Sequence, residues 1–283
     1  MANSQNIQIL GSNTKYWIYN ADKTPTIVMI HGLRGTHHGL EDIIKKLPNF
    51  KIIIPDLPGF GESTPMTQQA HDIIGYSVFV QEFIKKITPN RPILLGHSFG
   101  SIVVSRVAAL APDLISKLIL VNAIATPALK GPRKIFTRIT VAYYWLGKIL
   151  PNKIGTALLS SKAITLGTSV LMAKTKDKKL RKYIHKSHLA HFSQFKNRQV
   201  LSEAFNASIN HTATDFAADI TAQTLLIAGE IDDIAPAKGQ YTLEKTLPNA
   251  RLIIIPKVGH LIHHETPQQA AKAITDFCKN SIC

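Results

Sequence analysis

Six short aliphatic runs recur along the chain: Thr26-Ile27-Val28-Met29-Ile30, Lys51-Ile52-Ile53-Ile54, Ile93-Leu94-Leu95, Leu118-Ile119-Leu120-Val121, Thr224-Leu225-Leu226-Ile227 and Leu252-Ile253-Ile254-Ile255. Each is continuously hydrophobic rather than alternating, so a strand built from it has no face suited to water and must be covered on both sides. Helix-like stretches lie between them at residues 40–47, 72–87, 99–110, 241–247 and 267–279. Strand alternating with helix requires right-handed crossovers, which predicts an α/β fold with a mostly parallel central sheet flanked by helices. Residues 7–10 and 15–19, around Gly11-Ser12-Asn13, predict an antiparallel hairpin at one edge. With 283 residues, 45% of them hydrophobic, the chain has material for one such domain and an insertion.

The alternation stops after Val121 and resumes near Thr224. The intervening stretch is patterned as helix, which divides the chain into core residues 1–125, a helical basic cap at 126–211 and core residues 212–283. The cap holds 16 Lys and Arg against two acids, Asp177 and Glu203, and so carries almost all of the net charge of +15. Its aromatics, Phe136, Tyr143, Tyr144, Trp145, Tyr183, Phe192, Phe195 and Phe205, are expected to form the core of a lid, because buried faces dominate helix composition. The run Lys174-Thr175-Lys176-Asp177-Lys178-Lys179-Leu180-Arg181-Lys182 implies at most salt-dependent, unspecific attraction to nucleic acid, and no specific nucleic-acid partner is expected. Residues 130–150 mix cations with aromatics, the composition of an interfacial helix, so a weak contact with an anionic lipid surface through the cap is a further expectation.

The most hydrophobic tract is taken to be residues 135–150, which Arg138 and Lys148 interrupt and which falls short of the roughly 20 apolar residues of a membrane span. No spanning segment is expected. The opening Met1-Ala2-Asn3-Ser4-Gln5-Asn6 has no basic stretch followed by an apolar one, and the only cysteines are Cys278 and Cys283. A cytoplasmic, disulfide-free protein is the corresponding expectation.

The third aliphatic run leads into Gly96-His97-Ser98-Phe99-Gly100 and then into a helical stretch. A G-x-S-x-G at a strand-to-helix junction strains the serine into a sharp turn, where flanking glycines let neighbouring backbone pass and leave the hydroxyl exposed. Ser98 is therefore a candidate nucleophile. In an open parallel sheet, ligands bind beyond the carboxyl ends of the strands, and the residues following each run form a group there. They are His31-Gly32-Leu33-Arg34-Gly35, Asp56-Leu57-Pro58-Gly59, the turn of Ser98, Gly229-Glu230-Ile231-Asp232-Asp233, and Val258-Gly259-His260. A serine hydroxyl needs a base within reach and a carboxylate to fix and stabilise the imidazole. His260 and Asp232 supply them, in the order Ser, Asp, His expected for a triad on such a sheet. The backbone N–H groups of Phe99 and Leu33 are the candidate oxyanion donors.

With these motifs in place the chain resembles the α/β-hydrolase superfamily over about 26–121 and 224–279, with a cap inserted after the sixth strand as in capped esterases, lipases and carbon–carbon hydrolases. In that family the acid stands three residues after a glycine and ahead of a proline, which fits Gly229, Asp232 and Pro236 and leaves Asp233 as the lesser candidate. The alternative acid position falls at Asn122, which cannot carry charge. Serine at the elbow also differs from the aspartate of dehalogenases and epoxide hydrolases. The resemblance implies that Asp56 is a structural loop residue.

His31 and His97 are expected to hold loops by hydrogen bonds. Adjacent histidines are expected to point apart, so the pairs His37-His38 and His263-His264 imply no metal site. No cofactor is needed. The function that follows is hydrolysis of a carboxylic ester of a mid-sized, largely apolar small molecule. The alternatives are a carbon–carbon hydrolase acting on an anionic diketone-like compound and a non-catalytic ligand receptor on the same fold.

Overall fold

The computed structural model describes residues 2–88, 90–127 and 134–279, with residues 134–137 described by backbone alone. Cys283 and the side chain of Phe136 lie outside the described residues. Eight strands form one sheet: β1 (Asn3–Ile9), β2 (Ser12–Tyr19), β3 (Thr26–Ile30), β4 (Lys51–Pro55), β5 (Ile93–His97), β6 (Lys117–Val121), β7 (Thr224–Gly229) and β8 (Ala250–Ile255). They lie in the order β1-β2-β4-β3-β5-β6-β7-β8. The expected hairpin is present as β1 and β2, paired antiparallel from Asn3↔Ile18 to Ile9↔Ser12 around a tight turn in which Leu10 and Gly11 both take positive φ. Pairing is parallel from β4 through β8.

The aliphatic runs bury both faces, as their lack of alternation requires. Successive side chains of a strand point to opposite faces. Val28, Ile30, Leu94, Leu118 and Leu226 pack in one core with α2 (Ile73–Ile87), α3 (Phe99–Leu110) and α9 (Ala237–Thr246). Their neighbours Ile27, Met29, Leu95, Ile119 and Leu225 pack in a second core with α1 (Glu41–Ile44), α10 (Ile262–Glu265) and α11 (Pro267–Lys279). On the first face Tyr76, Phe79 and Phe83 of α2 are fully buried. Asp72 caps that helix by accepting from the Gly75 N–H at 2.8 Å.

Two helices differ from their expected limits. The helix expected over 40–47 is one 3-10 turn, His37–Leu40, continued by the short α1. α9 starts at Ala237 rather than at 241, because Gly239 does not break it. A Cβ at that position would stand 2.8 Å from Thr126 Cγ2, so the glycine is there for close packing.

Between β6 and β7 run α4 (Lys134–Ile149), α5 (Asn152–Leu159), α6 (Lys162–Met172), α7 (Lys178–His191) and α8 (Arg198–Asn210). This inserted unit meets the loops at the carboxyl ends of the strands. The Gly61 N–H donates to Gln194 O at 2.7 Å, the Lys196 N–H donates to Gly59 O at 2.9 Å, and Phe60 bridges Phe195. Arg34, directly after Leu33, is buried among the inserted helices. Its guanidinium donates to Leu159 O at 2.6 Å and Ser193 Oγ at 2.7 Å, and lies against the rings of Tyr144, Phe192 and Phe195.

The expected aromatic lid core is partly present. Tyr144 stacks on Phe205 at 3.7 Å, but Trp145 and Tyr183 are 57% and 45% exposed. The most apolar tract is Asn152–Met172 rather than residues 135–150. Its 21 residues have a mean hydropathy of 1.3 over the most apolar window, 22% of which is buried. The helix is not continuous, however, since Ser161 adopts extended backbone between α5 and α6.

Candidate active site

β5 delivers the chain to Ser98 at φ 53° and ψ −120°, a region that sterics close to most L-residues. The turn closes because Gly96 and Gly100 lack side chains. A Cβ on Gly96 would lie 2.5 Å from Gly100 O, and one on Gly100 would lie 2.3 Å from Ile30 O. Ser98 is consequently left half-buried at the head of α3, and its hydroxyl makes no capping bond to that helix.

Two other strand ends meet it. His260, in the segment after β8, brings Nε2 to 2.8 Å from Ser98 Oγ, and its Nδ1 stands 2.7 Å from Asp232 Oδ2 in the loop after β7. An Nδ1–H that donates to the carboxylate leaves Nε2 free to accept the serine proton, which is the tautomer a general base requires. His260 and Asp232 are each 4% exposed. Asp232 Oδ1 accepts from the backbone N–H groups of Ile234 at 2.7 Å and Ala235 at 2.9 Å. Burial alone would raise the Asp232 carboxyl. The adjoining His260, the Ala235 N–H and the Asn122 amide outweigh it and hold the group at about 2, so it is a fixed anion. Asp233 bonds Lys174 Nζ at 2.6 Å instead, which leaves Asp232 as the partner of His260.

The two expected oxyanion donors adjoin the serine. Phe99 is the first residue of α3, so its N–H has no partner within the helix. The β3 loop approaches from the other side, where a Cβ on Gly32 would be 3.2 Å from Ser98 Cβ, and Leu33 follows directly. His31 holds this loop, as expected. Its Nε2 accepts from the Leu57 N–H at 2.8 Å, so its Nδ1 carries the proton donated to Gly32 O at 2.8 Å. His97 is packed beside the site, 5.4 Å from the His260 ring and 4.3 Å from that of His263, and burial lowers it to about 3. Asp56 is a loop residue: its carboxylate accepts from the His37 N–H, the His37 ring and the Glu62 N–H at 2.8–2.9 Å.

Two features escaped the sequence reading. Asn122, at the end of β6 with φ 47°, donates from Nδ2 to Asp232 Oδ2 and to Gly259 O, tying the acid loop to the histidine loop. The signal was its place at the family's alternative acid position, where a neutral donor serves a carboxylate arriving from the next strand. The second is a correction: adjacent histidines do not point apart. The His37 and His38 rings lie 3.8 Å apart, and those of His263 and His264 4.4 Å. His37, His38 and Glu41 even bring ligand atoms within 4.8 Å of one another. Their inner nitrogens are already used, however, His37 Nδ1 by Asp56 and His38 Nδ1 by Glu41.

The alpha/beta hydrolase fold family model matches residues 25–267, so the chain belongs to the alpha/beta hydrolase family. It is 26% identical over 276 residues to the uncharacterized hydrolase YugF of Bacillus subtilis, covering 95% of each chain. It is 23% identical over 241 residues to a pimeloyl-(acyl-carrier protein) methyl ester esterase of Vibrio campbellii, covering 83% of this chain and 87% of that one. Among solved structures, the enol-lactonase from Burkholderia xenovorans LB400 superimposes with a TM-score of 0.79 at 18% identity, covering 98% of this chain and all of the other.

Proposed function

We propose that the protein is a serine hydrolase that cleaves a carboxylic ester of a mid-sized, largely apolar molecule through an acyl-enzyme. The observation that carries this reading is the unbroken relay from Ser98 Oγ through His260 to Asp232 at 2.8 and 2.7 Å. Ser98 Oγ adds to the ester carbonyl carbon as its proton passes to His260 Nε2, and Asp232 stabilises the imidazolium so formed. The carbonyl oxygen takes up negative charge, met by the amides of Leu33 and Phe99, each worth about 2.7–4 kcal/mol in the barrier by comparison with other oxyanion donors. Collapse expels the alcohol, which leaves with the proton from His260. Water then gives a proton to the same nitrogen, adds to the acyl carbon, and releases the acid as the proton returns to Ser98. A relative named as a methyl ester esterase and a neighbour named as an enol-lactonase support acyl transfer to water as the reaction type.

A carbon–carbon hydrolase acting on an anionic diketone is the second reading. The observation favouring it is Arg34, a buried cation directly after Leu33 whose terminal nitrogens hold the inserted helices but whose Nε has no hydrogen-bond partner among the described residues. Fluorophosphonate labelling followed by peptide mapping tests the nucleophile, with modification expected at Ser98 and abolished in Ser98→Ala. A panel of neutral p-nitrophenyl esters of increasing acyl length against carboxylated diketones separates the two readings. Ester turnover that persists in Ser98→Ala would overturn the proposal.

A further inference from the structure

Three consecutive helices of the inserted unit present aliphatic side chains to water. On α4 the exposed positions Ile139, Leu146 and Ile149 recur at helical spacing with exposed Trp145 one turn before Ile149, Ile154 is exposed on α5, and Val170 and Leu171 are exposed on α6. Trp145 is 57% exposed and Leu171 68%. Single exposed apolar residues are ordinary, but a run of them on successive helices marks a surface that meets something else.

Charge narrows the choice of partner. Residues 138–176 contain six Lys and Arg and no Asp or Glu. Among these, Arg138, Lys148, Lys153 and Lys162 are exposed on the same three helices. A second copy of this chain would oppose cation to cation without an acid to pair it. Nucleic acid would use the cations and leave the aliphatic groups in water. A bilayer with anionic headgroups satisfies both, since its phosphates receive Lys and Arg while its acyl boundary receives Trp, Ile, Val and Leu.

The break at Ser161 and the cations Lys153 and Lys162 within Asn152–Met172 exclude a simple span and favour helices lying in the interface. We propose that α4, α5 and α6 dock on the surface of an anionic phospholipid bilayer, with Trp145, Ile154 and Leu171 entering the headgroup layer. The docking stands independently of which bond the relay cleaves.

The chain has two tryptophans, and Trp17 is buried, stacked on His37 at 3.3 Å, so a change in emission on membrane contact reports Trp145. The full-length protein is titrated with vesicles of phosphatidylglycerol and phosphatidylcholine, and with vesicles of phosphatidylcholine alone. The expected result is a blue shift and co-sedimentation on the anionic vesicles, with binding roughly tenfold or more weaker on the neutral ones. Brominated acyl chains are expected to quench Trp145. The triple variant Lys148→Glu, Lys153→Glu, Lys162→Glu is expected to lose affinity roughly tenfold or more, and Val170→Ser/Leu171→Ser several-fold, with circular dichroism unchanged. Ser98→Ala is expected to bind vesicles like the wild type, so failure of the hydrolase reading leaves this outcome readable.

No shift and no co-sedimentation with anionic vesicles would overturn the proposal. So would equal binding by the triple variant, or a lipid-free, concentration-dependent dimer that blue-shifts Trp145 in place of vesicle binding. Should a variant fail to fold, quenching of the wild type by brominated lipid decides alone.

Discussion

Lowering the pH from 7.5 to 5 is expected to destabilise this protein well before its carboxylates titrate. His97 and His188 are each 7% exposed, and burial together with neighbouring histidines lowers both to about 3. His97 faces His260 and His263, whereas His188 faces His264 and shares Ser169 Oγ with His185 at 2.8 and 2.7 Å. In the unfolded chain the same rings titrate near 6.5, so between about 6.5 and about 3 the unfolded state holds more protons. Stability is therefore full above 6.5, falls as the pH drops below it, and levels off only near 3. Linkage over that interval gives about 2 kcal/mol per histidine at pH 5, or about 4 kcal/mol for the pair, against a total stability typically of about 5–15 kcal/mol. His263, His31, His71 and His191, all lowered mainly by burial, add in the same direction, while half-buried His38, raised mainly by its bond to Glu41, opposes it weakly. Urea unfolding at pH 7.5 and 5, followed by circular dichroism, measures the difference. His188→Gln, whose amide can still reach Ser169, is expected to reduce the fall by about 2 kcal/mol. Equal stabilities at the two pH values, or a fall in His188→Gln as large as in the wild type, would refute the reasoning.

Three further outcomes follow from the geometry. Asn122→Ala removes a bond to a buried anion worth about 1.5–3 kcal/mol, so kcat/KM on a p-nitrophenyl ester is expected to fall about 10–100-fold; a change within about twofold would show that Asp232 needs no such support. Gly100→Ala would press a Cβ onto Ile30 O and is expected to cost about 2–4 kcal/mol, whereas Gly39→Ala, with nothing within 4 Å, is the neutral control in the same melting assay. Arg34→Met removes the guanidinium from Leu159 O and Ser193 Oγ, leaving them only Tyr143 and Thr165, and limited proteolysis within residues 134–210 is expected to accelerate; an unchanged cleavage rate would mean that this contact does not hold the inserted helices.

The sheet was legible in the sequence because a strand buried on both faces needs an unbroken aliphatic run, and few other structures do. The elbow was legible because the glycines around Ser98 are required by distances of under 3 Å to backbone oxygens. Asn122 was not, since its role depends on a loop more than a hundred residues away, and an amide gives no local signal of the carboxylate it will meet. The start of α9 was hidden by Gly239, a helix breaker by propensity that the packing against Thr126 overrides. The exposed apolar character of α5 and α6 was missed because Ala, Thr, Ser and Gly dilute their aliphatic residues, leaving no block as conspicuous as the aromatics of α4. The close contacts within the histidine pairs depend on the short helical turns at His37–Leu40 and Ile262–Glu265, whose geometry spacing alone does not set.

β6 ends at Val121, and the strand that pairs with its far edge begins at Thr224. A ribosome adding about 5–20 residues per second would take about 5–20 s to cross that interval. Throughout it the nascent sheet presents the backbone groups of Leu118, Leu120 and Asn122 as a bare parallel border, open to pairing with any neighbouring chain. Chains stalled before β7 should therefore hold a chaperone that chains stalled after β7 has emerged and paired no longer bind.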